Sequence, residues 1–429
     1  MSRTAVIVGG ARTPFAKAWG ALRGVPARDL GRIAASEAIA RSTVDPAEID
    51  EVIFGNVAQP ADSANIARII ALRSNVPRSV PATTVNRNCA SGIQAVVDAA
   101  LRIESGLADV VLAGGVESMS RIPFLYLPET QDLFMKALRA RTSGARMAAF
   151  MKLRPRHFRP VVALEAGLTD PVAGLSMGET AEVLAKRYRI SREEQDRFAL
   201  ESHRRAARAT ESGRLREEIV PVFLPPDYGE TVTDDIGFRP DQDLEALSRL
   251  RPVFDRKFGT VTAGNSSQIT DGAAALVLAS EERAREAGYP VLGRIRSWGF
   301  AGCDPVAMGL GPAYATPVAL KRGGATFRDV KIVEINEAFA AQVIACERAF
   351  ASREFAAKEL GLSGPIGEID RSVTNVNGGA IALGHPVGAT GARLVLTLCL
   401  ELAHRDRDLG LATLCVGGGQ GAAILIERA

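Results

Sequence analysis

Cys89 lies in NRNCASGIQA, between an asparagine and a run of small residues that leads straight into the apolar segment GIQAVVDAALRI. A free cysteine is by default a small buried hydrophobe. The other reading is a nucleophile. At a helix N-terminus the unpaired N–H groups and the macrodipole favour thiolate over thiol, and a turn of Ala90, Ser91 and Gly92 leaves the sulfur sterically open. His385 occupies a second glycine-rich turn, in NGGAIALGHPVGATGA. A lone histidine is usually structural, yet an imidazole brought to a thiol removes its proton. Cys415 ends an apolar strand in LCVGGGQG. It reads as a buried strand residue before a turn, although glycines also bring backbone N–H groups close to a ligand and so make an oxyanion hole. Asn336, in EINEAFA, either caps the following helix or offers a carboxamide donor at a strand end.

The elements that must position these residues follow from the apolar pattern. TAVIVGG, EVIFGNV and DVVLAGG read as strands buried on both faces, with helical patterns between them, which indicates α/β layering. The last third repeats the scheme through VLGRIRSWGF, VKIVEINEA and LATLCVGGG. EVIFGNV and KIVEINE each close a strand with an asparagine, Asn56 and Asn336. NCASGIQAVVDAAL and GHPVGATGARLVLTL each set a small-residue turn before a long apolar helix. Internal duplication is the economical explanation, and it makes the turns at Cys89 and His385 equivalent, able to face each other across one site. The expected division is an N-terminal half, 1–121 and 250–283, a C-terminal half, 284–429, and an inserted loop domain, 122–249. In that insert Ser191 and Glu194 form a capping box and Gly213 a stop. TVTAGNSSQITDGAAALVLAS returns the chain to glycine-rich strand.

Composition narrows the function. The 429 residues are 47% hydrophobic, ample for a buried core, and a net charge of +3 predicts no nucleic-acid partner. Five widely spaced cysteines with no CxxC pair fit reduced thiols better than disulfides or a metal site. The N-terminus lacks the pattern of a secretory or transit peptide, and no apolar run approaches the roughly 20 residues that span a bilayer. The reading is a cytoplasmic enzyme.

NCASG, NEAFA, GHPVGATGAR and CVGGGQG, in this order, resemble the thiolase family, and TVTAGNSSQITDGAAA is similar to its TAGN-x-S segment. The resemblance implies two βαβαβαββ halves in a layered αβαβα core, with a loop domain that holds coenzyme A. It implies that Cys89 is acylated and is activated by His385. Cys415 would protonate the departing acetyl-CoA enolate and later deprotonate coenzyme A. The N–H groups of Cys89 and Gly417 would hold one oxyanion, and Asn336, through water, with His385 the other. The implied reaction is thiolysis of a 3-ketoacyl-CoA in fatty-acid β-oxidation; the same residues run in the Claisen direction would make acetoacetyl-CoA. Cys415, with an unperturbed pKa of about 8.5, would suit proton transfer near neutrality. Coenzyme A is a co-substrate here, and no tightly bound cofactor is implied.

Ser267, Met177 and Ser176 are the expected coenzyme A contacts. Ser176 stands where many short-chain biosynthetic thiolases carry histidine, and Thr270 stands where asparagine is more usual, which argues against a purely acetoacetyl-specific role. A second departure is FMKALRARTSGARMAAFMKLRPRHFRP, which carries Lys136, Arg139, Arg141, Arg146, Lys152, Arg154, Arg156 and Arg159 among Phe, Met and Leu. It is similar in kind to the insertion in the thiolase subunit of β-oxidation trifunctional enzymes. Three readings stand: a solvated basic face near the coenzyme phosphates, a dock for a hydratase/dehydrogenase partner, or a peripheral contact with an anionic membrane. The family implies a homodimer or tetramer.

Overall fold

The computed structural model describes residues 3–429. Besides a two-residue strand, Ala16–Lys17, that pairs with Thr270 and Asp271, its first half contributes five strands: β1 (Ala5–Arg12), β2 (Glu51–Gly55), β3 (Ala82–Val85), β4 (Val110–Ser118) and β5 (Thr270–Ser280). They lie in the order β3-β2-β4-β5-β1, parallel between β3, β2 and β4 and antiparallel beyond. The second half contributes β6 (Gly293–Gly302), β7 (Ile332–Ile335), β8 (Leu409–Val416) and β9 (Gln420–Glu427), in the order β6-β9-β8-β7. The orders match strand for strand. The counterpart of β3 is reduced to one parallel bridge, Val333 to Thr374, and β1 meets β6 through two residue pairs.

Burial of both sheet faces explains the unbroken apolar runs. All of β5 is buried, with Ala273, Ala275 and Val277 packed towards one layer and Ala274, Leu276 and Leu278 towards the other. The first layer is helix α1 (Ala27–Ser42), through Leu30, Ala34 and Ala38. The second lies between the sheets and holds α2 (Ser91–Glu104) and the long helix Thr390–His404, here α5, through Ile93, Val97, Leu394 and Leu398. Helices α3 (Gly311–Arg322) and α4 (Ala340–Ala351) cover the outer face of the second half through Ala315, Ala319 and Val343. The result is the expected αβαβα stack.

The starts of α2 and α5 touch backbone to backbone. A Cβ on Gly92 would lie 2.5 Å from the Ala392 nitrogen, and one on Gly391 would lie 2.4 Å from the Ile93 nitrogen. Only glycine permits that approach, and it places the two small-residue turns side by side.

The connecting segment behaves as the sequence suggests at one end and not at the other. Helix Arg192–Glu211 begins in the Ser191–Glu194 capping box and ends before Gly213, at φ +78°. TVTAGNSSQI, in contrast, is turn rather than strand, and pairing starts at Thr270. Its side chains take the backbone: Asn265 Oδ1 accepts from the Thr262 N–H at 2.8 Å and Ser266 Oγ donates to the Thr262 carbonyl at 2.6 Å, leaving neither group for a ladder. Among the described residues no helix is long and apolar enough to cross a membrane.

Candidate active site

Cys89 sits one residue before the N-cap of α2, in a turn fixed by asparagines. Asn88 adopts positive φ, which asparagine tolerates, and its Nδ2 donates to the Gly417 carbonyl at 2.8 Å. This bond ties the Cys89 turn to the turn after β8. The N–H groups of Gly417 and of Cys89 itself reach the sulfur and favour its thiolate. Burial outweighs them and raises the thiol above its ordinary range, with the Glu117 charge adding to it. The helix N-terminus therefore does not produce a resting thiolate, because Cys89 packs against the apolar cluster of Met119, Leu164 and Val387. Cys89 rests as a thiol and needs a base.

His385 follows the short helix Ala380–Leu383 and Gly384, and its backbone N–H donates to Thr270 Oγ1 at 3.1 Å. Its Nδ1 lies 2.6 Å from Thr390 Oγ1, which itself donates to the Pro386 carbonyl at 3.1 Å. With the hydroxyl proton so committed, Nδ1 carries the hydrogen and Nε2 is left as an acceptor. Asn336 Nδ2 lies 3.5 Å from that Nε2. Burial, with Arg393 adding to it, lowers the imidazole to about 3, so it rests neutral. Asn336 is fully buried at the end of β7, its N–H on the Thr413 carbonyl at 2.9 Å. It is not a helix cap, since α4 starts after Phe339.

Cys415 is the penultimate residue of β8 and is buried. Burial, followed by the neighbouring Cys89 and two further thiols, holds it well above the ordinary cysteine value. It is therefore not the unperturbed acid that its residue type suggests; it keeps its proton through neutral pH.

The remaining sequence candidates are distributed around this centre. Met177 opens helix Met177–Arg187, and its sulfur would lie 3.2 Å from a Cβ on Gly417. Ser176 is the N-cap of that helix, its Oγ accepting from the Glu179 N–H at 3.3 Å and its own N–H bonding Glu179 at 2.7 Å. That capping role explains a serine there. Ser267 is half-buried and hooks the 260s turn onto the NEAFA segment, its N–H on the Ala338 carbonyl at 2.9 Å. Sequence reasoning missed Thr390, Asn88 and Glu117. The signal for Glu117 was present: a carboxylate ending the apolar strand VVLAGGVES.

One side of the centre is apolar. Met119, Leu164 and Val387 are buried beside Cys89, with Ile122, Val162 and Leu168 at the margin. Val162 also lines an open cavity of about 710 Å³ walled by Arg159, Val161, Glu165 and Thr169. Beyond it the segment with helices Pro128–Arg139 and Ser143–Phe150 exposes Leu138, Met147, Met151 and Phe158. All eight of its basic side chains are exposed, and of these only Arg156 meets a carboxylate, Glu129.

Comparison with known proteins places this arrangement. Residues 5–282 match the family described as thiolase, N-terminal domain, and residues 289–428 match thiolase, C-terminal domain. A 3-ketoacyl-CoA thiolase of Yersinia enterocolitica is 45% identical over 422 residues, covering 98% of this chain and 96% of that one. Acetyl-CoA acetyltransferase of Bacillus anthracis superposes with a TM-score of 0.86 at 40% identity, over 100% of this chain and 99% of that one. Human mitochondrial 3-ketoacyl-CoA thiolase in complex with CoA superposes with a TM-score of 0.85 at 38% identity, over 100% and 98%.

Proposed function

The chain belongs to the thiolase family, and from that premise we propose that it cleaves 3-ketoacyl-CoA with coenzyme A, through an acyl-enzyme on Cys89, in fatty-acid β-oxidation. The observation that carries this reading is the meeting of two thiols at one glycine turn: the Gly417 N–H reaches Cys89, and Gly417 follows Cys415 by two residues.

The steps use groups already in place. Cys89 Sγ attacks the ketone carbon while its proton passes to His385 Nε2, the ring's vacant acceptor. The N–H groups of Cys89 and Gly417 receive the alkoxide; each such donor is worth roughly 3 kcal/mol of transition-state stabilisation. The C2–C3 bond then breaks, its electron pair leaving with acetyl-CoA as an enolate. Asn336 Nδ2 and the newly protonated Nε2 stabilise the enolate oxygen, and Cys415 gives up its proton to carbon. In the second half the Cys415 thiolate removes the proton of coenzyme A, whose sulfur takes the acyl group from Cys89. Cys89 recovers its proton from His385. A high resting pKa makes Cys415 thiolate costly and hence a strong base towards coenzyme A.

Ser267, Met177 and Ser176 are proposed to line the coenzyme side, with 122–249 as the loop domain between halves 1–121 with 250–283 and 284–429. The apolar groups from Met119 to Leu168 and the cavity at Val162 support an extended acyl chain over acetoacetyl-CoA alone. Biosynthetic condensation of two acetyl-CoA is the second reading. The cytoplasm is the proposed compartment, and a homodimer or tetramer the proposed assembly. For the basic insert, seven exposed cations without carboxylate partners among exposed Leu, Met and Phe favour an anionic membrane surface over the hydratase/dehydrogenase partner. Thiolysis across a series of 3-ketoacyl-CoA chain lengths tests the reading. Activity rising with chain length is expected, and turnover confined to acetoacetyl-CoA would refute the degradative role.

A further inference from the structure

Glu117, the penultimate residue of β4, is fully buried, and among the described residues no cation pairs with its carboxylate. Four N–H donors hold it. Asn56 Nδ2 and the Ala58 N–H reach Oε1 at 3.0 and 3.1 Å, and the N–H groups of Val57 and Gly388 reach Oε2 at 3.0 and 3.1 Å. Val57, Ala58 and Asn56 belong to the loop after β2. Gly388 belongs to the turn that carries His385. Val387 belongs to the apolar cluster against which Val57 and Cys89 both pack, so one carboxylate fastens together two segments of the wall on which Cys89 rests. The fit is tight, since a Cβ on Gly388 would lie 2.8 Å from Oε2 and 2.6 Å from the Val116 carbonyl.

We propose that Glu117 is a positioning residue for acyl transfer: it holds the loop after β2 and the His385 turn in register around Cys89. Second to burial, its carboxylate also works against a charge on the Cys89 sulfur. The nucleophile then ionises only by handing its proton to His385 Nε2, when a ketone carbon is present to receive the electron pair. This rests on Cys89 being the acylated residue.

The surroundings leave Glu117 as the charge that Cys89 faces. The loop after β2 brings Asn56, Val57 and Ala58 and an exposed Asp62 paired with Arg28; on the Cys89 turn itself, Arg87 donates to Gln94 and Gln420. From β5, the carboxylate of Asp271 is engaged by the Ser120 N–H and hydroxyl. From the His385 turn comes a neutral imidazole, and from α5 comes Arg393, whose guanidinium is paired with Glu334 at 2.9 Å. Cys415, itself held as a thiol, contributes no charge at neutral pH. Burial raises Glu117 to about 7, against the pull of its four donors, so the clamp is about half charged at neutral pH and becomes fully charged above it.

The test is the pH profile of Cys89 alkylation by iodoacetamide, read beside thiolysis, in the full chain. Glu117→Gln removes the charge and half of the acceptor capacity; kcat should fall about 10- to 100-fold with KM little changed, and the alkylation midpoint should drop by about one pH unit. Glu117→Asp keeps the charge but is one methylene short of both loops, so kcat should fall while the midpoint stays near wild type. A Glu117→Gln midpoint that does not move, or unchanged kcat, would overturn the proposal. Should Glu117→Gln not fold, Glu117→Asp decides: unchanged kcat in that variant would overturn the positioning role. Alkylation of Cys89 that leaves thiolysis intact would instead sink the acyl-enzyme reading itself.

Discussion

Replacing Gly92 by alanine tests whether the site is set by the contact between the two helix starts. The added Cβ would stand 2.5 Å from the Ala392 nitrogen and 3.1 Å from the Gly388 carbonyl, whereas ordinary contact begins at 3.4 Å. The obstacle is backbone on both sides, so no side chain can swing away. The starts of α2 and α5 must part by roughly 0.9 Å, the shortfall in that contact. Overpacking of this kind costs about 1–3 kcal/mol, against a helix-propensity gain of at most about 1 kcal/mol, so the fold should survive with a modest loss of stability. Activity should suffer far more. Cys89 rides on one helix start and His385 on the other, and a 1 Å misplacement of reacting groups costs about 100-fold. Steady-state thiolysis and the urea midpoint of the variant are the measurements. Gly144→Ala is the control, because a Cβ there meets nothing within 4 Å in an exposed helix; it should be neutral or slightly stabilising and fully active. Wild-type kcat in Gly92→Ala would refute the claim that this contact sets the catalytic geometry.

The protonation of His385 is open to a stability measurement. Its folded value of about 3 lies below the unfolded value near 6.5, so between these the unfolded chain binds the extra proton and stability falls as pH falls. Relative to His385→Asn, the wild-type chain should lose on the order of 2 kcal/mol between pH 7 and pH 5; urea midpoints that run parallel would argue against a buried neutral imidazole. Cys89→Ser should fold and lose thiolysis, and persistent turnover would remove Cys89 from the mechanism. In Cys415→Ala, acyl transfer from acyl-CoA to Cys89 should survive while C–C cleavage drops about 100-fold or more; unimpaired cleavage would leave Cys415 without a role. The insert should carry the chain onto vesicles of anionic but not neutral lipid, with release by salt. Glutamate at Arg139, Arg146, Lys152 and Arg154 should abolish that binding, and equal binding to neutral vesicles would exclude the electrostatic account.

Much of the fold was legible because the central strands β1, β4, β5 and β8 are buried on both faces. That condition writes those strands as nearly continuous apolar runs, and duplication writes the whole scheme twice. The turns at Cys89 and His385 were found equivalent on pattern alone, and the glycines at 92 and 391 put them in contact. The failures have local causes. TVTAGNSSQI carries strand-like residue types, but Asn265 and Ser266 spend the backbone groups that a ladder needs. Protonation states were also misjudged. Residue type and a helix N-terminus suggested a thiolate at Cys89 and an ordinary acid at Cys415, whereas burial governs both. Burial depends on packing from distant segments, here the cluster of Met119, Leu164 and Val387 against which Cys89 rests, and no local pattern contains it.

Duplication also explains how a symmetric fold acquires a single, asymmetric centre. Asn56 follows β2 and Asn336 follows β7, equivalent places in the two halves. Each anchors its N–H to the neighbouring chain, Asn56 on the Val85 carbonyl at 3.2 Å and Asn336 on the Thr413 carbonyl at 2.9 Å. Their carboxamides diverge. Asn56 Nδ2 is taken by the Val116 carbonyl and Glu117, at 2.9 and 3.0 Å, and so serves the walls of the site. Asn336 Nδ2 meets only a ring nitrogen at 3.5 Å, a long contact that leaves the donor available to a developing oxyanion. What separates the two is the partner at the end of the adjacent strand. The penultimate residue of β4 is a carboxylate that, with the Val116 carbonyl, occupies the Asn56 Nδ2 donor, whereas the penultimate residue of β8 is Cys415, which offers Asn336 no such acceptor. Placing an acceptor carboxylate opposite Asn336 would therefore repeat the structural arrangement of the first half and remove the donor that the enolate needs.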